Sequence, residues 1–294
     1  MRYAIVGAAG QLGSEFCRLL GDNALPLFRR DLDLLKPEKL RAVLKSAGPD
    51  LVINCAAYNF VDRAEDEVES AFAVNFVGVR ALALACRDLH VPLVHFSTDY
   101  VYGLDADRNT PYTVHDAPGP LSVYGMSKLA GEYAVRATLG DHFVIRTCGL
   151  YGDRQVAGSG KQTNFVTTML RLADSNRPIR VVNDQHCTPT FARDVAAVTM
   201  ELVKGQRFGL HHLTNDGSTT WFEFARTIFH LANRDVQLEA ISSEAYGAKA
   251  RRPNYSVLEN TYPMRPWPEA LQDYLQTREN VLGSALPSIG NEIA

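Results

Sequence analysis

The sequence predicts an α/β fold, a doubly wound parallel sheet with a small C-terminal lobe. Three observations carry that expectation. Short apolar runs alternate with helical patterns through the first 150 residues. A glycine loop, Gly7-Ala8-Ala9-Gly10-Gln11-Leu12-Gly13, directly follows the first apolar run. Tyr124 and Lys128 stand four residues apart, downstream of Ser97-Thr98-Asp99-Tyr100.

Residues 2–6 read as a strand, and residues 11–21 as a helix with Leu12, Phe16, Leu19 and Leu20 on one face. Residues 24–28 form a second strand. Pro37 suits the first turn of a helix reaching about Lys45. Asp50-Leu51-Val52-Ile53-Asn54 is a third strand, and a long helix over roughly 66–89 leads to a strand at 93–96. Residues 123–139 are helical and 143–146 are another strand. Strands separated by helices argue for a parallel sheet covered on both faces. Right-handed crossovers make it the Rossmann type, in which a ligand lies beyond the carboxyl ends of the strands.

The second half is less regular. A helix near 163–174, a strand at 179–183 and a helix at 191–204 are expected, the last two continuing the main domain. Residues 218–233 form a helix whose apolar surface comes largely from Trp221, Phe222, Ala225, Ile228, Phe229 and Leu231. The expected division is a dinucleotide-binding core over 1–150, continued by about 179–215. About 151–178 and 216–294 then form a substrate-binding lobe. The last ten or so residues are expected to fray.

Composition narrows the function. The 294 residues are 46% hydrophobic and 21% charged, as in soluble globular proteins. A net charge of -3 gives no bulk attraction to nucleic acid or a membrane surface. The N-terminus runs straight into a strand without a signal-peptide core. No run approaches the roughly 20 apolar residues of a membrane span. Cys17, Cys55, Cys86, Cys148 and Cys187 are scattered without C-x-x-C spacing, the pattern of reduced thiols in a cytoplasmic protein. His211-His212 falls on a strand and reads as packing or surface, not as a metal site.

The glycine loop sits between a strand and a helix. Such glycines let the backbone turn tightly and approach a pyrophosphate, which the helix N-terminus then attracts. The second strand ends in Phe28-Arg29-Arg30-Asp31, with Asp33 close behind. An acid at this position favours NAD and an arginine the 2′-phosphate of NADP. Two arginines point to NADPH, with NADH as the alternative. Asp33 is placed on the adenine side.

Residues four apart share a helix face, so Tyr124 and Lys128 point the same way. A nearby ammonium favours the phenolate and lowers a tyrosine pKa from about 10. Tyrosine then becomes a usable acid near neutral pH. Thr98, at a strand end, is suited to hold a substrate oxygen against Tyr124.

These segments resemble the extended short-chain dehydrogenase/reductase family, and within it the dTDP-4-dehydrorhamnose reductases. Further matching segments are Ala56-Ala57-Tyr58, Val61-Asp62-x-Ala64-Glu65, Ser97–Tyr102, Tyr-Gly-x-Ser-Lys-x-Ala-Gly-Glu over 124–132, and Arg146-Thr147. The likeness continues through Asn164-Phe165, Val182-x-Asp184-Gln185, Trp221-Phe222-Glu223-Phe224-Ala225 and Arg252-Pro253-x-Tyr255-Ser256.

The resemblance implies hydride transfer to C4 of a nucleotide-linked 4-keto-6-deoxy sugar. Tyr124 is then the proton donor, Lys128 tunes it and holds the nicotinamide ribose, and Thr98 orients the keto oxygen. Gly7, Gly10, Gln11 and Leu12 line the pyrophosphate. Ala56, Ala57 and Tyr58, supported by Asn75, follow the cofactor, which Ser97 also borders. Asp99, Val101, Asn164 and Arg252 face the sugar nucleotide, with Arg252 on the diphosphate. The chain departs from the family at Cys148-Gly149-Leu150-Tyr151, where Ser-Trp-x-Tyr is common, and at Asn59, where Thr is usual. The missing indole removes an apolar wall beside the sugar.

Some members hold a metal between subunits through acids. Here Glu15 is present but Arg193 falls in that acidic region, so no metal is expected. The expected assembly is a monomer or homodimer. Two other readings stay open: a sugar-nucleotide epimerase or dehydratase, and a non-catalytic regulatory subunit. Dehydratases of this kind carry Asp-Glu after the threonine, whereas Asp99-Tyr100 follows here.

Overall fold

A computed structural model describes residues 1–153, 164–175 and 177–284. Within these residues, strands β1 (Tyr3–Val6), β2 (Ala24–Leu27), β3 (Leu51–Asn54), β4 (Leu93–Thr98), β5 (His142–Thr147) and β6 (Gly209–His212) form one sheet. Every pairing in it is parallel, and the order is β2-β1-β3-β4-β5-β6. The chain leaves β1 toward one edge and returns to build the other, so the switch point lies between β1 and β3.

Alternating residues of each strand feed two cores. Ala4, Val6, Val52 and Val144 pack on helices α2 (Pro37–Ala47), α3 (Val68–Leu89) and α4 (Val123–Thr138). Ile5, Ile53, Val94 and Ile145 pack on α1 (Gln11–Leu20) and on Ala192, Val195 and Leu202 of a later helix. Burial of both sheet faces accounts for the continuous apolar runs of these strands.

A third core gathers α5 (Phe165–Ala173), α7 (Trp221–Leu231) and α8 (Trp267–Ser284), while α6 (Ala192–Lys204) stays on the main sheet. The strand expected to extend the main domain near 179–183 forms as Ile179–Val182. It pairs in parallel with Leu238–Ile241 and not with the main sheet. Ile179 and Val181 bury themselves in the third core, while β6 pairs with β5 at the main-sheet edge. Residue 163 of the predicted helix and the last ten residues lie outside the described residues.

The long predicted helix begins at Val68 and is interrupted by a π-helical turn over Ala73–Gly78. Contrary to the sequence expectation, α3 is long and apolar enough to cross a membrane, with a hydropathy of 1.5. Its Val79, Leu82, Ala83 and Cys86 pack against the sheet as a core helix.

Candidate active site

Gly7 leaves β1 at φ +78, a conformation open to glycine. A Cβ there would lie 2.8 Å from the Ala56 nitrogen, and one at Gly13 would collide with the Gly7 carbonyl. The loop thus closes tightly between the ends of β1 and β3, at the switch point where such sheets bind ligands. The first turn of α1 carries no acid, and Gly10 caps it without a side-chain bond. Its N–H groups therefore present positive potential with no built-in anion, which fits a dinucleotide pyrophosphate beside Gln11 and Leu12.

Arg29 and Arg30 follow β2, with side chains 67% and 82% exposed. Arg29 faces Asp33 at 3.5 Å, and Arg30 lies over the Phe28 ring. The Asp33 carboxylate also accepts the Leu35 N–H at 3.0 Å. Gly7 N–H donates to Leu27 O at 3.0 Å, so the end of β2, two residues before Arg29, adjoins the glycine loop.

Asn75 is fully buried in the π turn. Its Oδ1 accepts the Tyr58 N–H at 2.9 Å, and its Nδ2 donates to Tyr58 O and Ser127 Oγ at 3.0 Å each. The π turn gives a polar side chain the reach to clamp Ala56-Ala57-Tyr58 to α4. Asn75 therefore acts through Tyr58.

Helix α4 approaches its neighbours at glycines. A Cβ at Gly125 would collide with the Tyr100 carbonyl, and one at Gly131 with the Asn75 carbonyl. Ser122 Oγ caps Gly125 N–H at 3.2 Å, and Glu65 accepts the Val123 N–H at 2.9 Å. These contacts set Tyr124 and Lys128 against the end of β4, where Thr98 lies.

Burial pushes the Tyr124 phenol up to about 12, a hydrogen bond from Thr98 opposing the rise and Asp99 adding to it. Burial brings Lys128 down to about 8, against the raising influence of Glu132 and Cys55. Lys128 Nζ donates to Phe96 O at 2.6 Å. This corrects the expectation that the ammonium pulls the phenol down: in this geometry desolvation dominates, and the phenol is fully protonated at neutral pH.

Behind this wall lies a buried ionic network. Ser97 Oγ donates to Glu132 Oε1 at 2.5 Å, and Arg146 forks onto both Glu132 oxygens at 2.9 and 2.6 Å. Arg146 also donates to Tyr102 OH at 2.6 Å, which lies 3.2 Å from His212 Nε2. Ser97 and His212 are thus parts of the scaffold under the site.

The residues expected to face the substrate divide. Asp99 is buried and accepts from Ser256 Oγ at 2.6 Å, Cys148 Sγ at 3.0 Å and Thr98 Oγ1 at 3.1 Å. Burial raises its carboxyl, opposed by those bonds. Val101 is fully buried with Tyr102, Tyr112 and Leu258. Asn164 caps α5 through Thr167 N–H at 2.8 Å and donates to Gly152 O and Tyr274 OH. The side chains of these three residues are therefore turned into the fold. Arg252 lines a cavity of about 280 Å³ with Gly103, Leu121, Gln185 and Arg251. Its guanidinium forks onto Asp62 at 3.1 and 2.8 Å.

Sequence reasoning quoted Asp62, Glu65 and Ser256 within motifs but gave them no role. It gave none to Glu132 either, although its place one turn beyond Lys128 on the same face was the available signal. Arg193, noted where an acid would serve a metal, pairs with Glu15 at 3.8 Å and Asp273 at 3.5 Å.

A nucleotide-cofactor fold with a tyrosine–lysine–threonine wall defines a class of oxidoreductase-like proteins. Comparison with known proteins narrows it. Residues 1–280 match the family described as RmlD substrate binding domain, and the chain belongs to that family. It is 40% identical over 284 residues to a dTDP-4-dehydrorhamnose reductase of Mycolicibacterium smegmatis, covering 92% of this chain and 84% of that one. It is 36% identical to the spore coat polysaccharide biosynthesis protein SpsK of Bacillus subtilis, covering 94% and 97%. The crystal structure of a Bacillus anthracis dTDP-4-dehydrorhamnose reductase in complex with NADP aligns with a TM-score of 0.87 at 35% identity, covering 94% and 99%.

Proposed function

We propose that the protein is an NADPH-dependent reductase of the C4 keto group of a nucleotide-linked 4-keto-6-deoxy sugar, converting dTDP-4-dehydrorhamnose to dTDP-rhamnose. The observation that carries this reading is the half-buried, protonated Tyr124 phenol beside Thr98, one turn from the buried Lys128 on a helix packed against the end of β4. The family and its named reductases supply the substrate class.

The glycine cradle and the uncapped first turn of α1 fit the pyrophosphate. Arg29 and Arg30 are placed to pair with a 2′-phosphate, which favours NADPH over NADH. When bound, the reduced nicotinamide supplies the hydride that reaches the carbonyl carbon. Thr98 holds the keto oxygen in hydrogen-bond reach of Tyr124. As the C=O π bond breaks, the phenolic proton passes to that oxygen and an O–H bond forms. The Lys128 ammonium offsets the phenolate left behind and shifts the transfer toward product. Asp99, Ser256 and Cys148 keep Thr98 at its strand end.

We assign the residues around the third core, with Arg252, to the substrate side, and the six-stranded sheet to the cofactor side. Cys17, Cys55, Cys86, Cys148 and Cys187, all free, suit a cytoplasmic enzyme. The test is a coupled assay with dTDP-4-dehydro-6-deoxy-L-mannose. Oxidation of NADPH with formation of the 4-hydroxy sugar nucleotide is expected, faster than with NADH. Tight NADPH binding without turnover of that sugar would overturn the substrate assignment.

A further inference from the structure

The Arg252 guanidinium is anchored and largely covered, its side chain 17% exposed, whereas its partner Asp62 is 47% exposed. The pair is a two-pronged fork, the geometry that guanidinium also adopts on phosphate oxygens. Arg252 borders the 280 Å³ cavity beside Arg251, with Gln185, Ser243 and Glu244 also on its wall. Asp62 lies on the short helix Val61–Ala64 and reaches the cavity wall through Arg252 and the Ala250 N–H. The segment carrying Arg252 is also attached away from Asp62: His186 N–H donates to Asn254 O at 2.7 Å, Ser256 N–H to His186 O at 2.9 Å, Ser256 Oγ to Asp99 at 2.6 Å, and Lys249 pairs with Asp66. Asp62 Oδ1 in addition accepts the Ala250 N–H at 3.1 Å, and Arg252 donates to Ala250 O at 2.9 Å. A carboxylate on the solvent side of a fixed guanidinium is the member that another anion can replace.

We propose that Asp62 is an internal stand-in for the diphosphate of the substrate, holding the Arg252 fork until the nucleotide takes it over. This rests on the sugar-nucleotide reading above. The carboxylate keeps a half-buried guanidinium paired between turnovers, and it competes with both substrate and product for that group. A site that is competent only when the fork is released binds more weakly by the fraction of time it is released. A fork closed nine-tenths of the time weakens apparent affinity about tenfold. Asp62 is thus a positioning residue whose removal tightens nucleotide binding and slows product release.

The test is equilibrium binding of thymidine diphosphate and of thymidine to the full-length protein and to Asp62→Asn, Asp62→Ser and Arg252→Gln. Asparagine keeps an acceptor for the Ala250 N–H, and thermal melting checks that each variant is folded. Asp62→Asn and Asp62→Ser are expected to bind thymidine diphosphate about five- to tenfold more tightly with thymidine unchanged. The KM for the sugar nucleotide should fall in parallel. Arg252→Gln should lose the diphosphate-dependent part, and adding it to Asp62→Asn should abolish the gain. Equal or weaker thymidine diphosphate binding by both folded Asp62 variants, with the wild type binding it and Arg252→Gln losing it, overturns the stand-in and leaves the substrate reading intact. Failure of every form, wild type included, to bind thymidine diphosphate overturns the substrate reading and the stand-in with it.

Discussion

The wall that carries Thr98, Tyr124 and Lys128 and the rim that carries Asp62 and Arg252 are held by different physics. The wall is buried. Its polar groups are matched inside the protein, as in the Ser97–Glu132–Arg146–Tyr102 network, and its backbones meet at Gly125 and Gly131, where no side chain fits. The rim is built from ion pairs that water reaches, including Arg252–Asp62, Lys249–Asp66 and Arg63–Glu67. A chemical step needs fixed groups in a low-dielectric setting, while binding and release need contacts that exchange. The two regions divide those demands.

The contrast breaks most visibly at Glu132. Replacing it with alanine leaves the Arg146 guanidinium, 1% exposed, without its carboxylate. Removing one partner of a buried pair costs about 3–5 kcal/mol, and urea denaturation of Glu132→Ala should show a loss of that size. A loss below about 1 kcal/mol, the range of exposed pairs, would mean that the network is not the rigid support described.

The pH response sharpens the contrast, because Lys128 titrates near 8 in the folded protein against 10.5 for an ordinary lysine. Turnover needs the ammonium, so kcat/KM should fall about tenfold per pH unit above about pH 8. Stability moves the other way. Between pH 8 and 10.5 the unfolded chain binds more protons than the folded one at this group, so its contribution to stability rises with pH. A pH–rate profile beside denaturation at matched pH reads both signs. Tyr124, near 12, keeps its proton across that window.

The smallest effect belongs to the rim. Lys249 and Asp66 have side chains 52% and 65% exposed. Lys249→Ala should therefore change stability by less than about 1 kcal/mol and leave kcat unaltered, as thermal melting and steady-state kinetics would register.

The same division governs what the sequence revealed. The strands of the wall are legible because Ile5, Ile53, Val94 and Ile145 lie in apolar runs, and the glycine loop because a strand-to-helix turn needs Gly7. Tyr124 and Lys128 are legible through helical spacing. Local patterns end there. Asp99 meets Ser256 across 157 positions and Asp62 meets Arg252 across 190, distances that no periodicity encodes. The strand Ile179–Val182 reads like any half-buried strand, and its partner Leu238–Ile241 is fixed only by the third core. The π turn escaped because Asn75 sits in an otherwise regular helical pattern, and its reason is a tertiary contact with Tyr58. The phenol's pKa was misjudged because the spacing of Tyr124 and Lys128 says nothing about the Phe96 carbonyl that takes the lysine.

The central claim is that the Tyr124 proton is the one delivered to the reduced carbonyl. Single-turnover oxidation of NADPH with the 4-keto sugar nucleotide, by wild type and by Tyr124→Phe, tests it directly. The phenylalanine variant should bind NADPH as wild type does and transfer hydride about 10²- to 10⁴-fold more slowly. Undiminished transfer in Tyr124→Phe would contradict the account.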